Sequence, residues 1–324
     1  MTLRHHLLAA RFDLYCRHLS ASRKPILVGP FRSEVGFEAL YWLPFLASLV
    51  KRWGWDPARL IACSRGGAAC WYGAGATAEL YDHVSPDDVR LFTLAAQQRQ
   101  QSTKQIGIEP WERHVVGLVA ASLGYEPGQV HLLHPSWMYC LFAPWWADQA
   151  APGVLARYSR LTRLAPPPLP ENVKLPPSFV AVRFYSRPTW PSTEATLFCM
   201  REIVTKLAVK QPVVLLNSGL RLDDHADLVA ADGQRVHDLT PVLTPRNNLA
   251  IISAVLARAK GFVGTYGGLA QLALRLGVPT VAYYQDWHST ALAHLDLTHR
   301  IAVSSGVPFM LVRPSDVEHW RAVL

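Results

Sequence analysis

Residues Gly261–Tyr284, GFVGTYGGLAQLALRLGVPTVAYY, decide the fold class that this sequence predicts. The apolar pair Phe262–Val263 predicts a buried strand, and a glycine-rich turn leads from it into a helix predicted over Leu269–Leu276. Gly277 ends that helix, and a second apolar strand is predicted over Thr280–Tyr284. Apolar strands joined through a helix are typical of a parallel sheet that is buried on both faces. The stretch therefore predicts an α/β protein.

The turn in this stretch consists of Gly264, Thr265, Tyr266, Gly267 and Gly268. Backbone N–H groups at the start of a helix favour an anion such as a phosphate. The glycine spacing, G-x-x-G-G, is neither the dinucleotide pattern G-x-G-x-x-G nor the P-loop ending G-K-[ST]. An ordinary turn that binds nothing is the alternative, because such turns connect strands to helices in α/β proteins of many kinds.

The same stretch resembles the donor-binding segment of GT-B glycosyltransferases, x-V-G-T-x-G-G-x-x-x-L-A-x-x-L-G-V-P. The residues that carry the resemblance are Val263, Gly264, Thr265, Gly267, Gly268, Leu272, Ala273, Leu276, Gly277, Val278 and Pro279. The resemblance implies two Rossmann-like domains that face each other across a cleft, with the turn holding the phosphates of a nucleotide sugar. It implies transfer of the sugar to a hydroxyl of a glycan or lipid-linked acceptor. The nucleotide sugar is then a co-substrate, and no metal and no cofactor are expected.

The length of 324 residues is sufficient for two domains, and half of the residues are hydrophobic. Six prolines in APPPLPENVKLPP, residues 165–177, predict a stiff and extended linker. We expect an N-terminal, acceptor-side Rossmann-like domain over residues 1–165 and a linker over 166–177. The C-terminal, nucleotide-sugar-binding domain is expected over residues 178–324.

The formal net charge of +8 is spread along the chain without a long run of Lys and Arg. This distribution argues against nucleic-acid binding and suits anionic small molecules or an anionic membrane surface. None of the five cysteines has a neighbour at metal-ligand spacing. They are expected to be buried free thiols in a reducing cytoplasm.

Residues 2–19, TLRHHLLAARFDLYCRHL, contain no apolar run long enough for a signal peptide or a membrane span. They predict a basic amphipathic helix whose apolar side is formed by Leu3, Leu7, Leu8, Phe12, Tyr15 and Leu19. Packing on the first domain is the favoured interpretation, and contact with the inner membrane surface is the alternative. The expected location is cytoplasmic, with or without such peripheral contact.

The first predicted strand leads into a loop that carries Glu34, and Glu38 follows one helical turn later. Ligands of open α/β sheets bind beyond the carboxyl ends of the strands. Residues 29–38 resemble, as G-P-x-x-x-E-x-G-x-E, the opening of bacterial sugar transferases that act on surface polysaccharides. The resemblance favours Glu34 as the general base, with Glu38 orienting the acceptor. A solvated carboxylate at a helix N-terminus is the alternative for Glu34.

Further polar candidates in the first domain follow predicted strands. Arg65, beside two glycines, is expected either to hold a substrate anion or to lie in an ordinary surface turn. A third strand is predicted over Val89–Phe92. His134 follows the predicted strand over residues 130–133 and is a second candidate base, with a structural histidine as the alternative.

In the second domain, Arg183 is the only charged residue in a predicted buried strand. An unpaired buried guanidinium is costly, so it requires either a carboxylate or a ligand phosphate, and the ligand is favoured. Asn217 and Ser218 end the next strand and complete the predicted donor site. Asp286 and His288 follow the strand over Thr280–Tyr284, either as ligands of sugar hydroxyls or as loop residues without a role.

Two other functions stay open at this point. A nucleotide-sugar epimerase or hydrolase on the same fold needs no large acceptor site. A non-catalytic nucleotide-binding protein needs only the donor pocket. A dehydrogenase is disfavoured, because the glycine fingerprint and its acidic ribose partner are missing.

Overall fold

The computed structural model describes residues 3–100, 104–147, 153–187, 189–220, 226–227, 235–286 and 292–314. The chain forms two compact units, the first comprising Met1–Thr162 with Pro245–Leu249 and the second Arg163–Thr244 with Ala250–Leu324. The proline-rich stretch expected as a linker thus belongs to the second unit. Just before it, the Leu164 N–H donates to the Arg275 carbonyl at 2.8 Å.

The first unit is built on a parallel sheet of β1 (Ile26–Val28), β2 (Leu60–Ser64), β3 (Ala76–Glu79) and β4 (His131–Leu133). The strand order is β3-β2-β1-β4. Leu27 of β1 lies opposite Ile61 on one side and Leu132 on the other. Because the strands are parallel, the loops that carry Glu34, Arg65 and His134 all leave the same edge of the sheet.

The helices of the first unit are α1 (Leu3–Ala21), α2 (Val35–Phe37), α3 (Leu43–Trp53), α4 (Pro86–Gln100), α5 (Pro110–Ser122), α6 (Ser136–Trp146) and α7 (Gly153–Tyr158). Short 3₁₀ turns cover Pro57–Arg59, Ala68–Tyr72 and Leu80–Asp82. The prediction of a third strand over Val89–Phe92 is wrong, since these residues lie within α4. A Ser85 hydroxyl that accepts from the Asp88 N–H at 3.0 Å begins this helix.

A π-helical segment, Glu38–Trp42, joins α2 to α3. Pro44 is at the second position of α3. Proline has no N–H to donate to the preceding turn, and a widened turn accommodates the missing bond. The helix continues without a break, and Glu38 begins the widened turn.

Helix α1 packs on the first unit through only part of the predicted side. His5, Ala9, Phe12, Cys16 and Leu19 are its buried residues. Leu3 and Leu7, which were expected beside Phe12 and Leu19, are exposed on the opposite side. The correct stripe includes a histidine and a cysteine, which a search for leucines and aromatic residues overlooks.

The second unit contains a six-stranded parallel sheet formed by β5 (Val180–Arg183), β7 (Val213–Leu215), β9 (Val236–Asp238), β10 (Phe262–Thr265), β11 (Thr280–Tyr283) and β12 (Phe309–Val312). The order is β12-β11-β10-β5-β7-β9. A small antiparallel pair joins β6 (Tyr185–Ser186) to β8 (Ala226–Asp227). The two parallel sheets confirm the α/β fold class.

The helices of the second unit are α8 (Glu194–Lys210), α10 (Gly268–Arg275) and α11 (Leu292–Ser305); α9 (Asn248–Leu256) begins in the residues assigned to the first unit, and Thr240–Val242 is a 3₁₀ turn. The stretch that decided the fold class is β10, α10 and β11, as predicted. Gly277 follows α10 with a φ of +82°, a conformation that favours glycine, and ends the helix.

All five cysteines are free, but only Cys16 and Cys63 are buried. Cys140 and Cys199 are half-buried and Cys70 is exposed, so the expectation that all are buried is wrong for these three. Cys70 belongs to the 3₁₀ turn Ala68–Tyr72, whose other side chains are the buried ones. Burial raises the pKa of the Cys16 and Cys63 thiols. In the part of the chain that the structure describes, no helix is both long and apolar enough to cross a bilayer.

Candidate functional site

The turn between β10 and α10 brings a backbone approach that only glycine permits. A Cβ atom on Gly264 would overlap the Arg183 carbonyl of the neighbouring strand. One on Gly267 would overlap the Tyr185 hydroxyl and the Arg187 guanidinium. Gly264 therefore has a steric reason in the backbone of the neighbouring strand, and Gly267 lies close to two side-chain ends, one of them of an arginine.

Two other residues of this turn use their side chains within the protein. The buried Thr265 hydroxyl donates to the Tyr185 carbonyl at 3.2 Å and accepts from the Tyr185 N–H at 3.1 Å. The Tyr266 hydroxyl lies 3.5 Å from that of Thr298, and burial raises the pKa of Tyr266. Thr265 and Tyr266 are thus available to a ligand through their backbone atoms rather than through their hydroxyl groups.

Arg187 adds a positive charge at this turn. Its Nη1 donates to the Tyr266 carbonyl at 3.1 Å. Its Nε is buried and has no hydrogen-bond partner among the described residues. Gly267, which precedes α10, supplies no side-chain cap. A guanidinium therefore lies beside the positive end of a helix, which is an arrangement that favours an anion.

Arg183, Ser218 and Gly219 converge at the ends of β5 and β7, but they surround a carboxylate of the protein itself. Arg183 Nε donates to Asp227 Oδ1 at 2.8 Å. Asp227 Oδ2 accepts from the Ser218 N–H at 2.8 Å and from the Gly219 N–H at 3.2 Å. Arg183 thus has the carboxylate partner that was the less favoured of its two expected partners.

Asn217 and Asp286 lie at the same edge of the sheet. The Asn217 carbonyl accepts from the Thr240 hydroxyl at 3.4 Å. Asp286 is half-buried, and its N–H donates to the Thr189 carbonyl at 3.3 Å. His288 lies outside the described residues. The sequence thus predicts the edge correctly, whereas the side-chain partners depend on β8, which it does not reveal.

In the first unit, Glu38 is fully buried and has three side-chain partners. Its carboxylate accepts from the Ser64 and Tyr72 hydroxyls, both at 2.6 Å, and from Arg65 Nη1 at 2.8 Å. Burial and the charge of Glu38 raise the pKa of Tyr72 well above its usual value. Glu38 therefore ties the π-helical segment to the end of β2.

Arg65 is likewise engaged within the protein. Burial opposes its charge, but the nearby Glu38 carboxylate raises the pKa of Arg65 overall. Its Nη2 also donates to the Ser33 carbonyl. The following N–H groups of Gly66 and Gly67 donate to the Glu79 carboxylate at 3.0 and 2.8 Å. Arg65, like Arg183, thus pairs with a carboxylate of the protein, that of Glu38, in place of the expected substrate anion.

Glu34 differs from these carboxylates because its side chain is 45% exposed. It pairs with Lys104 at 2.8 Å, and the Lys104 ammonium lies 3.6 Å from the centre of the Phe37 ring. Glu34 precedes α2 without capping it through its side chain. Of the two acidic candidates, it is the one that solvent reaches.

His134 is buried beside an ion pair that sequence reasoning missed. Its Nε2 lies 3.4 Å from Glu112 Oε1, which also accepts from Arg32 Nε at 3.1 Å and from Gln105 Nε2 at 3.0 Å. Burial alone would raise the pKa of Glu112, but His134 and Arg32 lower it to about 2. Because Arg32 lies 80 residues from Glu112 in the chain, no local motif identifies this cluster.

Among the described residues, no group of three or more His, Cys, Asp and Glu side chains is arranged to hold a metal ion. Each unit thus has its own candidate site. One is the turn before α10 with Arg187 in the second unit, and the other is the exposed Glu34 at the edge of the first sheet.

No family model and no curated protein matches the sequence. Solved structures similar to the chain include a glycosyl transferase family 9 protein from Veillonella parvula, with 12% identity, a TM-score of 0.46, and coverage of 93% of this chain and 89% of that chain. E. coli heptosyltransferase WaaC with ADP has 14% identity and a TM-score of 0.40, and the match covers 89% and 93% of the two chains.

Spinosyn rhamnosyltransferase SpnG is similar at 13% identity and a TM-score of 0.32, with coverage of 87% of this chain and 92% of that one. At TM-scores this low, the likeness carries no argument about activity, and the fold class rests on the two parallel sheets. The match covers 87% or more of both chains for each of these three structures.

Proposed function

We propose that this protein transfers a sugar from a nucleotide-sugar donor to a hydroxyl of a glycan or lipid-linked acceptor. The observation that carries the proposal is the turn before α10, where the Arg187 guanidinium meets a glycine-bounded helix N-terminus. A diphosphate would accept hydrogen bonds from both and would neutralise them. The motif around Gly264–Gly268, which resembles the donor segment of GT-B enzymes, supports the same ligand.

In this proposal Arg187 takes the role that the sequence had given to Arg183. Arg183 is already neutralised by Asp227, whereas Arg187 has an N–H group without a partner among the described residues. As the bond between sugar and phosphate breaks, negative charge grows on the leaving diphosphate. A guanidinium and backbone N–H groups that are already oriented stabilise that charge.

The proposed general base is Glu34, which would take the proton of the acceptor hydroxyl as its oxygen attacks the anomeric carbon. Its exposure supports this role, because a base must be within reach of an acceptor. The fully buried Glu38 and His134 are not part of this step. No metal is included, so chelation by EDTA is expected to leave the transfer rate unchanged.

The donor part is tested by thermal shift with UDP, GDP, ADP, CMP and dTDP on the wild type and on Arg187→Ala. A ligand present at about 100 times its Kd stabilises a protein by about 2.7 kcal/mol. We expect one nucleotide to raise the midpoint of the wild type and of the control Arg113→Ala, but not that of Arg187→Ala. If no nucleotide stabilises the wild type, the donor site is refuted.

The base is tested with Glu34→Gln, using the donor identified in that panel and release of free nucleotide diphosphate in the presence of acceptor glycans. A positioned base contributes about 100-fold or more to the rate, so a loss of this size is expected with unchanged nucleotide binding. The matched control is Glu126→Gln, which is the same substitution at another exposed glutamate of the first unit. Full transfer activity of Glu34→Gln would remove this residue from the mechanism.

A further inference from the structure

The outer side of α1 displays a line of leucines. Leu3, Leu7 and Leu14 have exposed fractions of 76%, 63% and 63%. Spacings of four and seven residues bring the three side chains onto one side of a helix. The buried side of α1, which includes Phe12 and Leu19, faces the opposite way. This helix therefore presents an apolar line to solvent as well as one to the protein interior.

Basic residues border this line on both sides. Arg4 and Arg11 lie on one flank by helical position, and His6 and Arg17 lie on the other; all four are exposed. Asp13 is the one acidic residue of the α1 sequence. It is neutralised by Arg52 at 3.2 Å and by Arg157. The outer side of α1 thus combines apolar and positive character without an uncompensated carboxylate.

A groove of about 560 Å³ adjoins the leucine line between α1 and α7. Its lining includes His6, Leu14, Arg17 and Arg157. His5 lines it too, and its buried Nε2 has no hydrogen-bond partner among the described residues. Asp13 also lines the groove and pairs with Arg157, and the remaining donors suit a phosphate-bearing headgroup next to the apolar line.

We propose that α1 docks the protein on an anionic phospholipid surface, with the leucines inserted at the boundary of headgroups and acyl chains. An apolar line bordered by basic residues is the pattern of helices that lie in a membrane interface. A protein partner of ordinary affinity buries a broad patch, whereas this line is a single side chain wide. The charge border matches an anionic leaflet, where each basic residue strengthens binding.

The test is sedimentation with vesicles of phosphatidylcholine alone and of equimolar phosphatidylcholine and phosphatidylglycerol. We expect the wild type to bind the anionic vesicles and to be released by salt, because screening weakens exposed charges. Leu7→Ser with Leu14→Ser, and separately Arg4→Glu with Arg11→Glu, should each weaken binding about tenfold or more.

Matched controls are available in the same unit. Leu91→Ser with Leu118→Ser removes two exposed leucines elsewhere, and Arg90→Glu with Arg113→Glu reverses two other charges. Both controls should bind within about twofold of the wild type. Unchanged circular dichroism and melting midpoint show that each variant is folded.

Three results would overturn the proposal: a wild type that does not bind anionic vesicles at low salt, α1 variants that bind as well as their controls, or equal binding to both vesicle types. A wild-type dimer that Leu7→Ser with Leu14→Ser converts to a monomer, without vesicle binding, would instead make this side a contact between copies. Vesicle binding needs no nucleotide, so failure here and failure of the proposed transfer are separate outcomes.

Discussion

At the scale of single residues, the acidic candidates divide by burial rather than by position in a motif. Glu38 and Glu34 lie four residues apart, yet one is held by three donors in the interior and the other is exposed to solvent. The sequence placed both at the edge of the sheet. It could not show that Tyr72 and Arg65 would enclose Glu38, because their side chains meet only through the fold.

Glu38→Ala is expected to destabilise the protein by about 3–5 kcal/mol, because it leaves the largely buried Arg65 guanidinium without its carboxylate. Urea unfolding of both proteins measures the difference. The control Glu202→Ala breaks an exposed i,i+4 pair with Lys206 and should cost well under about 1 kcal/mol. Equal losses in the two variants would contradict a structural role for Glu38.

Glu112 predicts a specific loss of stability in acid. Burial alone would raise its pKa, but His134 and Arg32 lower it from 4.5 to about 2 in the folded state. A lowered pKa stabilises the folded state above pH 4.5, and this contribution is lost as the pH falls towards 2. It amounts to about 3 kcal/mol. Urea unfolding between these pH values should show a shallower decline for Glu112→Gln than for the wild type.

At the scale of elements, the sequence predicts a helix or strand correctly where the residues that define it are contiguous in the chain. The strand, turn and helix over β10 and α10 were predicted because their glycines and apolar residues are contiguous. The strand at Val89–Phe92 was wrong because an apolar run of this length also fits one side of a helix. The stripe of α1 was misjudged because leucines occur on both of its sides.

Gly264→Ala tests the close approach of β10 to β5. The added methyl group would overlap the Arg183 carbonyl, which is backbone and cannot rotate away. We expect a loss of about 1–3 kcal/mol, from thermal or urea unfolding. Gly107→Ala is the control, because a Cβ there meets nothing within 4 Å. If Gly264→Ala unfolds like the control, the two strands do not approach as closely as described.

At the scale of the whole molecule, the sequence predicts two domains of one continuous segment each, whereas the first unit of the structure is discontinuous. Pro245–Leu249 belongs to the first unit although the surrounding residues belong to the second. Within the first unit, the Leu249 N–H donates to the Gly66 carbonyl at 2.9 Å, and Arg246 pairs with Asp82 at 2.9 Å. Nothing in the composition of these five residues marks them as part of another unit.

Leu249→Ala is therefore expected to loosen the first unit through a residue distant in sequence. Truncation of a buried leucine costs about 2–5 kcal/mol. Hydrogen exchange should increase more in β2 and the following turn than in β10. Val303→Ala, at an exposed position, should change neither region. A larger increase in β10 than in β2 would assign Leu249 to the second unit.

The discontinuity also limits how this protein can be recombined with others. The chain passes between the two units after residues 162, 244 and 249. A chimera that exchanges the second unit as one contiguous block would replace Arg246 and Leu249 together with it. The retained unit would then receive foreign residues against Gly66 and Asp82. Grafting of the second unit must therefore leave these five residues in place, and a simple fusion of two contiguous halves is constrained in the same way.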